Sequence, residues 1–326
     1  MFTIKRSPIR MIPLTVLVLV ALLWPSTGVL AQTVIATIPV GDSPNAVAVN
    51  LKTNRVYVGN AVSGTTSVIN GRNNKVKKTI TTGVLLFGTA VNSVTNRIYV
   101  TAGNDNIAVI NGRNNKVITT IAVGISPVSA AVNETTNRIY VTNFDSDSVS
   151  VIDGATNTVI ATIPVGDGPR AVAVNPVTNR IYVANEQPDG PTGTVSVIDG
   201  ATNTVIATIP IGTFAGGIAV NLVTNLIYAA NELDGTVSVI DGETNEVITT
   251  IAVGGGPRGV AVNPITNRIY VANFLSDTVS VIDGDTNTVV ATISVGSGPA
   301  GVAVNPKLGL VYVTNNGSNT VSVIAD

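Results

Sequence analysis

Short runs of alternating apolar and polar residues recur along the chain from residue 33 onward. The clearest four runs are residues 170–174, 180–184, 194–198 and 204–209. All four are rich in β-branched residues and are bounded by Asn, Asp, Gly, Pro and Thr, a pattern that predicts strands joined by tight turns. No run beyond residue 31 has helical periodicity, so the pattern predicts an all-β protein.

This pattern is repeated seven times, and each copy contains one tyrosine. Successive tyrosines are separated by 42, 41, 42, 46, 42 and 42 residues. The seven positions are Tyr57, Tyr99, Tyr140, Tyr182, Tyr228, Tyr270 and Tyr312. Four strands in a unit of this length are typical of a propeller blade or of a solenoid coil.

Three features favour blades closed into a ring. The first strand of each unit consists of small residues, which suit the crowded centre of a ring. The fourth strand ends in proline at Pro39, Pro164 and Pro210, which suits an outer edge because proline lacks a ladder donor. Residues 33–40 have the sequence of a fourth strand but precede the first complete repeat, and the last repeat ends after its third strand. We therefore predict a seven-bladed β-propeller over residues 32–326, with four antiparallel strands per blade, closed by the N-terminal strand in the last blade.

The repeat resembles that of the YVTN family of β-propellers. The signature stands as Tyr140-Val141-Thr142-Asn143 and again as Tyr312-Val313-Thr314-Asn315. Blade two departs from it, with Ala102 in place of the final Asn. The resemblance implies a propeller of the cell envelope, the periplasm or a surface layer, and it implies no particular ligand.

The first 31 residues have the order of a secretion signal. Lys5, Arg6 and Arg10 precede an apolar run over residues 14–24, and a small-residue site ends at Ala31. We predict cleavage after Ala31 and export of a 295-residue chain to the periplasm or cell surface. The alternative is an uncleaved anchor. The remaining chain has no apolar run long enough to span a membrane.

Composition limits the chemistry that this chain can perform. It contains no His and no Cys, and both Met lie within the predicted signal. These absences exclude a serine triad and remove the usual ligands of zinc, copper and haem. No cofactor is predicted, and a role without catalysis is favoured. Beyond residue 31 the chain carries 15 basic and 19 acidic residues, which argues against a dedicated nucleic-acid binder.

Comparison of the seven copies separates two faces. The loops that join strands one to two and three to four are monotonous, and we call their face the bottom. The other loops vary, and we call their face the top. The four Phe that follow the signal all lie in predicted top loops: Phe87, Phe144, Phe214 and Phe274. Either these loops bury their own Phe or the Phe form a contact surface around the channel mouth.

The predicted top loops hold ten acidic side chains and two basic ones. Arg170 and Arg258 start innermost strands, and they could hold a carboxylate or phosphate in the channel or pair with loop acids such as Asp167. Further candidate binding residues are Glu186, Asp189, Glu232 and Asp234. Asp145 and Asp147 are weak candidates for Ca²⁺.

Five arginines recur at one position of the bottom face. They are Arg55, Arg97, Arg138, Arg180 and Arg268. Two readings are open: pairing with neighbouring loop acids and carbonyls, or docking on an anionic surface.

These patterns favour an exported, monomeric binding or scaffold protein. Its partner would be a protein, a glycan or a small molecule at an acidic, Phe-containing top face. One alternative is a carboxylate- or calcium-dependent hydrolase or lyase, acting on a lactone or a sugar at the channel mouth. Another is polyanion or nucleic-acid binding on the basic bottom rim.

Overall fold

A computed structural model of the protein describes residues 32–187 and 190–326, and these residues form seven four-stranded antiparallel sheets. The innermost strands of successive sheets contact one another, and the innermost strand of the last sheet (Pro299–Asn305) contacts that of the first (Pro44–Asn50). The predicted seven-bladed β-propeller is thereby confirmed. The predicted signal, residues 1–31, and Asp189 lie outside the described residues. No helix within the described ranges has the length and apolar character needed to cross a membrane.

Each blade is a four-stranded antiparallel meander with its first strand at the ring centre, and in blades one to six the four strands are consecutive in the chain. Blade one comprises β2 (Pro44–Asn50), β3 (Arg55–Asn60), β4 (Thr65–Asn70) and β5 (Lys75–Thr81). Blade two comprises β6 (Thr89–Asn92), β7 (Arg97–Ala102), β8 (Asn106–Asn111) and β9 (Lys116–Ala122). Blade three comprises β10 (Pro127–Asn133), β11 (Arg138–Asn143), β12 (Ser148–Asp153) and β13 (Thr158–Pro164), with a 3-10 turn at Phe144–Ser146. Blade four comprises β14 (Pro169–Asn175), β15 (Arg180–Asn185), β16 (Thr194–Asp199) and β17 (Thr204–Pro210).

The remaining blades repeat this plan. Blade five comprises β18 (Ala215–Asn221), β19 (Leu226–Asn231), β20 (Thr236–Asp241) and β21 (Glu246–Ala252). Blade six comprises β22 (Pro257–Asn263), β23 (Arg268–Asn273), β24 (Thr278–Asp283) and β25 (Thr288–Ser294). Blade seven comprises β26 (Pro299–Asn305), β27 (Leu310–Asn315), β28 (Thr320–Ala325) and, from the start of the described chain, β1 (Val34–Pro39). β1 pairs antiparallel with β28, from Val34 opposite Ile324 to Pro39 opposite Thr320, which confirms the predicted closure.

The bottom loops are monotonous because one turn geometry requires one set of residues. In the first of them, the Asn50 side chain accepts hydrogen bonds from the amides of Lys52 and Thr53 at 3.1 and 3.0 Å. The turn ends at Asn54, whose φ is 53°. Asparagine tolerates this left-handed backbone better than most residues do. The Asn-x-x-Thr-Asn pattern is therefore a turn signature.

The core lies between blades rather than within them. The seven tyrosines are fully buried, and Tyr182 of blade four packs against Ile227 and Ala229 of blade five. Small residues are required at the centre. A Cβ added at Gly217, for example, would lie 2.1 Å from the carbonyl oxygen of Arg258 in the next blade.

The tyrosine hydroxyls do not share one kind of partner. Tyr312 donates to the Gly71 carbonyl at 3.2 Å, whereas Tyr228 donates to the Asn287 side chain at 3.0 Å. The hydroxyls of Tyr99, Tyr140 and Tyr182 have no partner among the described residues. The hydroxyls of Tyr228 and Tyr312 both bond to the turn between strands three and four of the next blade.

A ring of asparagines joins neighbouring blades on the bottom face. The Asn that ends each innermost strand donates to the left-handed Asn of the next blade, as Asn133 does to Asn179 at 2.9 Å. In blade seven Gly309 stands at the left-handed position, with φ 59°. Asn263 of blade six donates instead to the Asp326 carboxylate. One carboxylate thus replaces the missing amide and completes the ring.

The Asn of the YVTN-like signature also has a structural role. Asn143 donates to the hydroxyls of Ser148 and Ser150 at 3.1 and 3.0 Å and accepts from the Gly124 amide at 3.1 Å. It therefore ties three segments of one blade together. In blade two Ala102 stands at the position of this Asn and Ala108 at that of the second Ser. Blade two therefore lacks both the donor and the acceptor of the bond equivalent to Asn143–Ser150.

Candidate functional site

The top end of the central channel opens into a cavity of about 760 Å³. It is lined by seven of the predicted site residues: Phe87, Phe144, Phe214, Arg170, Arg258, Glu186 and Glu232. Phe274 lies directly beneath Arg258, whose guanidinium carbon is 3.5 Å from the centre of its ring. The fold therefore brings residues that are far apart in sequence together at the top end of the channel.

Two registers of the propeller supply most of these side chains. The first register, which we call the inner ring, is the position just before the first small residue of each innermost strand. Its members in blade order are Asn45, Phe87, Val128, Arg170, Gly216, Arg258 and Ala300. The second register, the outer ring, is the residue that follows the second strand of each blade. Its members are Ala61, Gly103, Phe144, Glu186, Glu232, Phe274 and Asn316.

The repeat itself positions the outer ring. The amide of Glu186 donates to the Gly168 carbonyl, and that of Glu232 donates to the Phe214 carbonyl, both at 2.9 Å. The accepting residue has a left-handed backbone, with φ of 61° at Gly168 and 63° at Phe214. This geometry places three outer-ring side chains at the cavity wall, namely those of Phe144, Glu186 and Glu232.

The charged residues of the mouth form one network across blades four, five and six. Arg170 lies 3.2 Å from the carboxylates of both Glu186 and Glu232. Arg258 is 2.8 Å from Glu232 through Nη2 and donates to it through Nε at 2.9 Å. Arg170 therefore pairs with top-loop acids, as one of the two predictions stated, but its partners are Glu186 and Glu232 rather than Asp167.

Burial differs between the two signs of charge. The side chains of Glu186 and Glu232 are 7% and 10% exposed, whereas those of Arg170 and Arg258 are 32% and 33% exposed. Burial raises the pKa of Glu186 and outweighs the lowering effect of Arg170. The mouth therefore presents guanidinium groups to solvent, with the carboxylates behind them.

The aromatic residues surround this network on both sides. The Arg170 guanidinium carbon lies 5.2 Å from the centre of the Phe214 ring, within the range of a cation–π contact. Phe87 is 40% exposed, and Phe144, Phe214 and Phe274 are half-buried. Phe87, Val128 and Phe144 form an apolar arc on blades two and three, opposite the charged network.

The other predicted residues of the top face accept hydrogen bonds from loop amides or a loop hydroxyl instead. Asp234 accepts from the Thr213 amide at 2.7 Å, and Asp147 accepts from the Gly168 amide at 2.9 Å. Asp145 accepts from the Ser126 hydroxyl. Among the residues that the structure describes, no group of three or more His, Cys, Asp or Glu is placed to hold a metal ion. Asp189 lies outside those residues.

Four inner-ring residues that line the cavity were missed from the sequence, namely Asn45, Val128, Gly216 and Ala300. Each occupies the inner ring, at the register of Arg170. Alignment of the innermost strands alone would have found them, because this position varies while its neighbours stay small.

Within the described ranges, three of the five bottom arginines pair with acids or carbonyls of the protein, which was the first of the two alternatives given for them. Arg138 pairs with Asp153 at 2.6 Å, Arg268 pairs with Asp326 at 3.3 Å, and Arg55 donates to the Gly112 carbonyl. These side chains therefore already have partners in the bottom loops.

Comparisons with known proteins agree with this fold. Residues 14–304 match the family model described as "YNCE-like beta-propeller", and residues 297–324 match that of the NHL repeat. A solved chain of Kuenenia stuttgartiensis hydrazine synthase is similar, with a TM-score of 0.81 and 19% identity over 87% of this chain and 96% of that one. At such identity the likeness shows the fold alone. No curated protein matches the chain.

The finer YVTN label suggested by the repeat signature stays a prediction, since neither matching family model carries it. The first of those models spans most of the chain, including all or part of every blade. The chain belongs to the YNCE-like beta-propeller family.

Proposed function

We propose that this protein is an exported binding protein whose ligand occupies the cavity at the top mouth of the channel. Export is supported by the signal-like order of charge, apolar run and small residues over positions 1–31. Binding is supported by the cavity of about 760 Å³, a size common among small-molecule sites.

One observation carries this proposal: the seven blades differ most where they meet the cavity. The inner ring contains Asn, Phe, Val, Arg, Gly, Arg and Ala, whereas the position after it contains only Ala, Gly and Ser. A register with only a structural role would keep the residue that packs best in every blade. Variation at one register of a repeated frame is instead typical of a binding surface.

The backbone at Phe214 adds support. Its φ of 63° is left-handed, and Gly occupies the same position in three other blades, as Gly168, Gly256 and Gly298. A left-handed residue with a Cβ costs roughly 1–2 kcal/mol relative to the right-handed form. Ser43, Leu85 and Ser126 hold the same left-handed position in the remaining blades. The conformation therefore belongs to the repeat, and in blade five it places an aromatic side chain at the cavity.

A thermal-shift screen tests the proposal. The purified protein is heated with a panel of small metabolites, in parallel with the variants Phe144→Ser and Arg138→Gln. A ligand at one hundred times its dissociation constant stabilises by about 2.7 kcal/mol, so a hit raises the melting temperature measurably. We expect hits that Phe144→Ser abolishes and that Arg138→Gln, on the bottom face, retains. Hits that survive Phe144→Ser, or an empty screen, would contradict the proposal.

The two alternative functions lack an observation of this kind. A carboxylate-dependent hydrolase or lyase would use Glu186 and Glu232, but both lie close to arginines. Polyanion binding on the bottom rim would use arginines of which two are ion-paired with loop acids.

A further inference from the structure

The charged half of the mouth offers hydrogen-bond donors to a ligand. Each guanidinium has five N–H donors. Arg170 uses Nη1 toward Glu186 and Glu232, and Arg258 uses Nε and Nη2 toward Glu232. Within residues 32–187 and 190–326, the other N–H groups of these two arginines have no acceptor in the protein. Both side chains are about one-third exposed, so these donors are accessible from the cavity.

The spacing of the two guanidiniums suits one small anionic group. Both guanidiniums contact the carboxylate of Glu232: Arg170 contacts its Oε2 and Arg258 contacts its Oε1. The two arginines therefore flank a single carboxylate from neighbouring sides. Between them on the inner ring stands Gly216, which contributes no side chain. Space therefore remains on the cavity side for a second carboxylate, and the fork geometry of arginine matches that group.

The opposite arc offers apolar area and no charge. Phe87, Val128 and Phe144 line it, and Phe87 leaves 40% of its surface exposed. Covering such surface with an apolar group is favourable by about 25 cal/mol per Å². The aromatic rings also accept a flat ring in an offset or edge-to-face arrangement.

We infer that the ligand is a small organic carboxylate with a flat apolar body, the carboxylate held by Arg170 and Arg258 and the body lying against Phe87, Val128 and Phe144. This inference rests on the proposed function, since it names the ligand class of the same cavity. A cationic ligand would meet two guanidiniums, because the carboxylates lie buried behind them. A neutral ligand would leave the exposed N–H donors without a charged acceptor.

Isothermal titration calorimetry with three matched probes tests the ligand class on the full chain. The probes are phenylacetate, its neutral amide phenylacetamide, and the cation 2-phenylethylammonium. We expect phenylacetate to bind at least about tenfold more tightly than the amide, because charge-assisted hydrogen bonds are roughly twice as strong as neutral ones. The ammonium compound is expected not to bind.

Variants then locate the interaction. Arg258→Gln and Arg170→Gln should remove the preference for acid over amide, and Phe144→Ser should weaken both probes alike. Arg170→Lys keeps the charge but loses the fork, and should retain only part of the preference. Arg138→Gln on the bottom face should bind as the unaltered protein does. The comparison of acid with amide needs no variant, so it decides the question even where an arginine variant fails to fold.

Several outcomes overturn the inference. Binding of the amide or of the ammonium compound as tight as that of phenylacetate overturns the anion class. If such binding is lost in Phe144→Ser, the mouth is still a binding site and the proposed function stands. Binding of phenylacetate that persists in both Phe144→Ser and Arg258→Gln places it elsewhere. Absence of binding by all three probes at millimolar concentration also overturns the ligand class, and the metabolite screen then decides the proposed function separately.

Discussion

Replacement of Asp326 by Ala is expected to destabilise the propeller strongly, because this carboxylate holds blades six and seven together. It accepts hydrogen bonds from five side chains. The donors are Gln32 at 3.2 Å, Thr266 at 3.0 Å, Arg268 at 3.3 Å, Asn263 and Tyr270. The Asp326 side chain is fully buried. In the variant, the buried donors of Asn263 and Tyr270 lose their acceptor, and Arg268 loses its counter-charge.

The magnitude follows from these contacts. Each buried donor left without a partner costs about 1–3 kcal/mol, and removal of one member of a buried ion pair costs about 3–5 kcal/mol. These contributions overlap at one carboxylate, so we expect a loss of roughly 3–5 kcal/mol in the free energy of unfolding. With an unfolding entropy of about 2.1 cal/mol/K per residue, that loss lowers the melting temperature by roughly 5–8 °C.

Differential scanning calorimetry of the variant measures this change. The matched control is Asp153→Asn, which removes the charge from the Arg138 pair but keeps the acceptor of the turn amides. Both partners of that pair are partly exposed, so the control should melt close to the unaltered protein. Equal melting temperatures for Asp326→Ala and Asp153→Asn would refute the idea that one carboxylate completes the asparagine ring.

Three further results are expected. Asn143→Ala should cost about 1–3 kcal/mol in urea titrations, because the amide of Gly124 and two serine hydroxyls lose their partner; an unchanged midpoint would show that the signature Asn is dispensable. Burial raises the pKa of Tyr228 and Tyr312 from 10.0 to about 12, so the stability that their protonated form contributes is complete below pH 10.0 and is lost as pH rises toward 12. Phenolate absorbance should then appear together with unfolding, and its appearance near pH 10 in the folded protein would contradict the burial argument. Mass spectrometry of the exported protein should show cleavage after Ala31, and a mass that includes residues 1–31 would favour the anchor.

The fold could be predicted from sequence because its determinants are local and repeated. The tyrosine spacing, the turn residues and the strand at residues 33–40 each follow from short patterns. The bonds between blades could not be predicted in the same way. Nothing in the neighbourhood of Asn133 indicates that its partner is Asn179 in the next blade. The role of Asp326 depends on Gly309, which lies elsewhere in the same blade.

The residues of the candidate site were predicted in part, and their partners were not. Comparison of the blades singled out Phe87, Phe144, Phe214 and the two arginines because they interrupt a repeated frame. Sequence could not show that Glu232 bridges both arginines, because this depends on how three blades meet at the channel. Nor could it distinguish a carboxylate that faces the cavity from one that binds a loop amide, as Asp234 does. Counting loop acids therefore described the charge of the whole top face, and it did not show that at the mouth the guanidiniums are more exposed than the carboxylates.

The pairing of β1 with β28 has a consequence for association. A sheet that is completed by a segment from the other end of the chain can be completed equally well by the same segment of a second molecule, with identical register and identical hydrogen bonds. Intramolecular pairing is favoured only by the high effective concentration of a tethered strand. Refolding from denaturant at high protein concentration therefore sets self-closure against reciprocal exchange, and strand-swapped dimers are the product to look for by size-exclusion chromatography.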